Sequence, residues 1–193
     1  KKKRLSQSRF ANFVLKRIKR NCTLIDFGCG DGRDTFFFSK YIQKTFGIDS
    51  CSYVIKENNL IKNKKIKFLN YNIKNKNLYT KLQKLISHKS KNIVYARFFL
   101  HALTNTEIKT FFIIAKKLIK KNGSIFIEYR TEKDKKNKKI FKNHYRNFIN
   151  PNNLENILIK FNLKSIFFKE GKGMAIYKKE DAYVARHIIK LEK

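Results

Sequence analysis

Leu24-Ile25-Asp26-Phe27 is a short apolar run. Gly28-Cys29-Gly30-Asp31-Gly32 follows it directly, and Arg33-Asp34 then open a helical stretch. A buried strand that must turn at once into a helix needs backbone angles closed to other residues, and glycines at 28 and 30 supply them. The same missing side chains let a ligand approach the main chain, which suits a nucleoside cofactor at the carboxyl edge of an open α/β sheet. A tight turn without a ligand is the plainer reading, and three alternating glycines argue against it. About twenty residues on, Phe46-Gly47-Ile48-Asp49 ends a second strand on a carboxylate, which at that distance can accept both hydroxyls of a ribose. Taken alone, Asp49 would be a solvated strand end. The dinucleotide fingerprint wants a small third residue at the position that Arg33 occupies, so a nicotinamide oxidoreductase is disfavoured.

Short β-rich runs alternate with longer helical stretches along the rest of the chain. Strands are predicted at Thr23–Phe27, Thr45–Ile48, Ile66–Asn70, Ile93–Phe98, Ser124–Tyr129, Lys164–Lys169 and Tyr183–Leu191. Helices are predicted at Arg9–Lys19, Thr35–Gln43 and Thr106–Lys120, with a further one capped by Asn150, carrying Pro151 in its first turn and ending near Phe161. The connection from Glu170 to Ala182 contains Gly171 and Gly173 and is too short and broken for a crossover helix, which makes the last strand antiparallel. The expected fold class is α/β: a Rossmann-like, seven-stranded, mostly parallel sheet with helices on both faces. With 42% hydrophobic residues, 193 residues fit one domain over 1–193. The Lys/Asn-rich stretches 56–67, 72–77 and 133–143 read as solvated helix ends or loops, the last as the best candidate for a mobile segment. No window approaches the roughly 18 to 20 apolar residues of a membrane span, and no signal peptide is legible, so a soluble cytoplasmic protein is expected. Cys22, Cys29 and Cys51 lie at no C-x-x-C spacing and read as reduced thiols; no metal site is expected.

A formal net charge of +32 points toward nucleic acid, but 37 of the basic residues are Lys and only 9 are Arg. Lys, Asn and Ile make 81 of the 193 positions, the composition that an AT-rich genome imposes. A dedicated nucleic-acid face would lean on the two-point geometry of Arg. Nucleic acid is therefore the less favoured partner, and an anionic small molecule remains compatible with the field.

The glycine turn and the acid that follows it resemble the first two motifs of the class I S-adenosylmethionine (AdoMet) methyltransferases. The resemblance extends through the succession of strands and helices. It implies AdoMet as cofactor, with Asp26, Gly28, Cys29 and Gly30 around its methionine part and Asp49 with Ser50 at the ribose. In that family the third strand commonly supplies an Asp beside the adenine amine; here Asn70-Tyr71-Asn72-Ile73 occupies the region, so Asn72 and Ile73 are the expected adenine neighbours. Arg97 completes the cofactor set.

The fourth strand runs Ile93-Val94-Tyr95-Ala96-Arg97-Phe98 and continues to His101; the Asn/Asp-Pro-Pro-aromatic run of amino-methylating nucleic-acid enzymes is absent. Arg97 and His101 are the candidate catalytic and acceptor-binding residues, joined by Tyr129 and Arg130 at the end of the fifth strand and by His144, Tyr145 and Arg146. Arginines at three edge positions fit phosphate or carboxylate; each alone could equally be a surface residue or a partner of Glu128. His101 is open between a general base, a hydrogen-bond donor and a structural histidine. Arg97 to Ala102, His144-Tyr145-Arg146 and the stretch from Glu170 through Met174, Glu180 and Asp181 to Arg186 resemble bacterial methyltransferases of capsule and surface-polysaccharide synthesis, among them enzymes that methylate a phosphoramidate. This implies O-methylation of an anionic, phosphorylated or nucleotide-linked acceptor. The rivals are an RNA methyltransferase and a non-catalytic AdoMet-binding partner subunit.

Overall fold

The computed structural model describes residues 6–86, 91–137 and 145–192. In chain order its first half holds α1 (Arg9–Leu15), β1 (Cys22–Phe27), α2 (Arg33–Ser39), β2 (Lys44–Asp49), α3 (Ser52–Asn59), β3 (Ile66–Asn70) and α4 (Leu78–Leu85). The second half holds β4 (Lys91–Arg97), α5 (Asn105–Ile119), β5 (Ser124–Arg130), α6 (Pro151–Lys160), β6 (Leu163–Gly171), β7 (Ile176–Tyr177), β8 (Glu180–Asp181) and β9 (Val184–Leu191).

Period-two alternation divides the strands between two apolar layers. Cys22 and Leu24 of β1 join α1 and α2 on one face, whereas Ile25 and Phe27 join α4, α5 and α6 on the other. The seven-stranded sheet has the order β3-β2-β1-β4-β5-β9-β6. β1 to β5 pair in parallel, and β9 lies antiparallel between β5 and β6, as the broken connection before it implied. Strand order reverses between β1 and β4, which opens a crevice at their carboxyl ends. The register across β4, β5 and β9 sets Arg97 beside Glu128 and Glu128 beside Arg186 on one face.

Helix starts follow local chemistry. Thr104 and Glu107 form a reciprocal capping box on α5, and the Asn150 side chain accepts from Asn152 and Asn153 ahead of Pro151. Several details differ from the sequence reading, among them the second helix, which spans Arg33–Ser39 rather than Thr35–Gln43. The first helix stops at Leu15. β4 ends at Arg97, because Phe98 adopts φ 55°, outside the strand region. The connection from Glu170 to Ala182 carries a two-stranded ribbon, β7 with β8. Of the stretch expected to be mobile, residues 133 and 134 lie in a 3-10 turn at Glu132–Asp134 that 135–137 continue, and residues 138–143 lie outside the described residues. Among the described residues no helix is long and apolar enough to cross a membrane, and no three His, Cys, Asp or Glu side chains cluster to hold a metal.

Candidate functional site

The glycine turn is stitched to the neighbouring strand. Gly28 and Cys29 N–H groups donate to Ile48 O at 2.9 and 3.0 Å, and Gly30 N–H donates to Asp49 Oδ2 at 2.9 Å. The other carboxylate oxygen of Asp49 accepts from Cys51 N–H at 2.9 Å, so one side chain ties the turn to the start of α3. Gly28 has φ 71° and Gly30 φ 51°. A Cβ at Gly30 would meet open space, whereas one at Gly28 would lie 2.5 Å from a ring carbon of Phe99. Room for a ligand over the main chain therefore exists at 30; at 28 the close approach is made by the protein's own Phe99.

A cavity of about 300 Å³ opens at the end of β2, with Gly28, Asp49, Ser50, Asn72 and Ile73 in its wall. The side-chain oxygen of Asn72 already accepts from Lys74 N–H at 2.9 Å, leaving one lone pair for anything else. A second hollow of about 170 Å³ lies beyond Gly28, walled by Asp26, Cys29, Arg33, Asp34 and Arg97. Burial pushes the Asp26 carboxyl well above the usual carboxylate range, and the Thr35 hydroxyl, donating to it at 2.6 Å, offsets only part of this. Burial likewise raises the Cys29 thiol, which keeps it protonated and unreactive.

On the far side of Arg97 lies a cavity of about 900 Å³, lined by Arg9, Arg33, Arg97, Arg130 and Arg146. These are five of the nine arginines in the chain, and among the described residues no lysine joins them. His101 and Tyr145 also line it. Tyr129 does not: it is fully buried on the opposite face of β5, with its hydroxyl 3.0 Å from His187 Nε2. Successive strand residues point to opposite faces, so Tyr129 and Arg130 were never able to share one site. His144 lies outside the described residues.

The arginines differ in what already holds them. Arg130 donates to Asp134 at 2.6 Å and also to Glu180, so both ends of its fork are taken by carboxylates. Glu128, completely buried, accepts from Arg97 Nε at 2.9 Å and Arg186 Nε at 2.7 Å, giving a triad with one positive charge in excess. Arg97 enters that triad through Nε alone, and it faces both the small hollow and the large cavity. His101 is buried, and its Nδ1 accepts from Arg130 N–H at 3.3 Å, which assigns the ring proton to Nε2. Burial first, then the charges of Arg130 and Arg146, pull its pKa down to about 3.

Sequence reasoning passed over Arg9, Arg33, Phe98 and the Asp34 cluster. Asp34 accepts from Ser8 N–H at 2.8 Å, the Ser8 hydroxyl at 2.7 Å and the Tyr95 hydroxyl at 2.6 Å. The readable signal was Tyr95, two residues before Arg97 and hence on its face of β4.

The methyltransferase-domain family matches residues 2–168. By sequence, no curated protein matches. Solved structures share the fold at low identity. An S-adenosylmethionine-dependent methyltransferase of Anabaena variabilis superposes with a TM-score of 0.76 at 15% identity, over 94% of this chain and 81% of that one. One from Clostridium acetobutylicum gives 0.71 at 11%, over 96% and 92%. The 1,6-didemethyltoxoflavin N1-methyltransferase of Burkholderia thailandensis, solved with its substrate and S-adenosylhomocysteine, gives 0.65 at 14%, over 95% and 77%. With the family matched over most of its length and the sheet order, glycine turn and strand-end acid all in place, the chain belongs to the methyltransferase-domain family and is a class I AdoMet-dependent methyltransferase.

Proposed function

We propose that this enzyme methylates an anionic small molecule, a phosphorylated, phosphoramidate or nucleotide-linked acceptor of capsule or surface-polysaccharide synthesis, in the cytoplasm. The observation that carries the reading is the wall of the large cavity, where five arginines and, among the described residues, no lysine stand in a chain with 37 lysines. Random basic enrichment would have put lysine there.

The two smaller hollows suit the cofactor by donor set. The larger offers the Asp49 carboxylate for ribose hydroxyls and the apolar walls of Ile48 and Ile73 for a base. The smaller sets the Asp26 carboxyl and the Arg97 guanidinium around a space fit for the ammonium and carboxylate of an amino acid. Bound there, AdoMet supplies a methyl carbon already activated as a sulfonium, so the task left to the protein is alignment. Arg97 holds the acceptor's anion through the donors that Glu128 leaves unused. Arg33 and Arg146 add positive charge, and Tyr145 stands at the rim. Arg130 works at one remove, fixing Glu180 and the β7–β8 ribbon and presenting its N–H to His101. His101 offers Nε2–H to the acceptor. An acceptor oxygen that is already anionic needs no base.

Release of S-adenosylhomocysteine from AdoMet with a panel of sugar phosphates, nucleotide sugars and O-alkyl phosphoramidates tests the reading. Turnover is expected with anionic acceptors only, and Arg97→Lys is expected to lower kcat/KM about a hundredfold, because the lost two-point contact is a charge-assisted one. Equal turnover of neutral analogues, with no change in Arg97→Lys, would count against it.

A further inference from the structure

Among the described residues, Phe98 and Ala102 alone line both the 300 Å³ cavity assigned to the cofactor's adenosine and the 900 Å³ cavity assigned to the acceptor. The Phe98 backbone sits at φ 55°, a region that a bulky side chain occupies only when its surroundings enforce it. The surroundings are specific. Its N–H donates to Glu128 O at 2.8 Å, continuing the β4–β5 ladder by one rung past the strand's end. Its ring lies 4.2 Å from the Arg97 guanidinium carbon and 5.3 Å from that of Arg130. The same ring is 5.2 Å from the His101 ring and packs on Met174, Ala175, Ala182 and Val184. A strand conformation at residue 98 would carry the side chain along the sheet; the left-handed one turns it between the cavities.

We propose that Phe98 is the dividing wall of the active site, a positioning residue that sets how far apart cofactor and acceptor are held and that keeps water from joining the two cavities. The proposal rests on the two-cavity reading above. Strain of this kind persists where geometry at a functional site demands it. The two guanidiniums on the ring tie its position to the arginines that would hold the anion.

The test is calorimetric binding of S-adenosylhomocysteine, alone and with phenyl phosphate as an acceptor-side probe, to the unsubstituted chain, Phe98→Gly and Phe98→Leu, each with its melting temperature. Glycine accepts φ 55° without strain, so Phe98→Gly keeps the backbone while deleting the wall. Expected for Phe98→Gly are about fivefold weaker S-adenosylhomocysteine binding, a similar loss for phenyl phosphate, and a melting temperature close to that of the unsubstituted chain. Phe98→Leu, which restores an apolar wall, should recover most of both affinities. Unchanged S-adenosylhomocysteine affinity in Phe98→Gly overturns the proposal, as does a loss that Phe98→Leu does not recover. If phenyl phosphate binds none of the three, the anionic-acceptor reading fails, and the cofactor arm still decides the role of Phe98. If S-adenosylhomocysteine fails to bind the unsubstituted chain, both fall together.

Discussion

His101 offers a donor and withholds a base, because its one lone-pair nitrogen already accepts the Arg130 N–H and its pKa sits at about 3. Turnover should therefore carry no His101 inflection between pH 6 and 8, only the acceptor's own titration; an inflection near 6.5 that disappears in His101→Gln would contradict this. Stability should behave differently. His101 and His187, lowered to about 3 and about 4 by burial, take up protons in the unfolded chain before the folded one does. Their contribution is complete above about pH 6.5 and is lost as pH falls toward the folded values, by roughly 1.4 kcal/mol per pH unit for each group. Urea midpoints measured from pH 7 to 4.5 should fall along that window, and His187→Gln should flatten the fall. Tyr129→Phe removes only a hydroxyl that meets His187, so it should cost about 1 kcal/mol of stability and leave turnover intact. Of the residues read from sequence as cofactor neighbours, Gly28, Asp49, Ser50, Asn72 and Ile73 line one cavity and Asp26, Gly28, Cys29 and Arg97 another, while Gly30 lines neither; motif spacing sets their closeness along the sheet edge. The acceptor group was read by residue type, which tells neither face nor partner. Parity along β5 separates Tyr129 from Arg130, and only the contacts reveal that Asp134 and Glu180 already occupy Arg130.

At the scale of elements, α1 shares an apolar cluster with the glycine-turn helix and is hydrogen-bonded to it through Ser8. Ser8 caps α1 by accepting from Ala11 N–H at 2.9 Å, and it also gives its own N–H and hydroxyl to Asp34 in the first turn of α2. Ser8→Ala loses the cap and one bond to a buried carboxylate together, a cost of about 2 kcal/mol and a fall of roughly 4 to 8 °C in melting temperature by thermal scan. The strands were legible because covered parallel strands read as apolar runs between polar breaks, and the antiparallel placement of β9 followed from a connection unable to hold a crossover helix. β7 and β8, two residues each, are too short for any periodicity to register. The end of β4 was misplaced by one residue because φ 55° at Phe98 goes with the Glu128 carbonyl and the Arg130 guanidinium, both distant in sequence, as well as with its neighbour Arg97.

Across the whole molecule the positive charge is unevenly distributed. Among the described residues the large cavity takes its positive charge from arginine alone, and much of that charge is balanced by Asp34, Glu128, Asp134 and Glu180. Non-specific RNA binding driven by a net charge of +32 should collapse between 50 and 300 mM salt, by about three orders of magnitude or more in affinity, while methyl transfer to a small anionic acceptor changes far less. Parallel salt series in filter binding and turnover check this. Beneath both lies the cavity proposed for the cofactor's adenosine, in whose wall the Asp49 carboxylate organises the glycine turn. Calorimetry of S-adenosylhomocysteine with the unsubstituted chain and with Asp49→Ala addresses that site most directly. One-to-one binding that weakens at least about tenfold in Asp49→Ala is the expected result; no heat with the unsubstituted chain, or equal affinity in both, would contradict it.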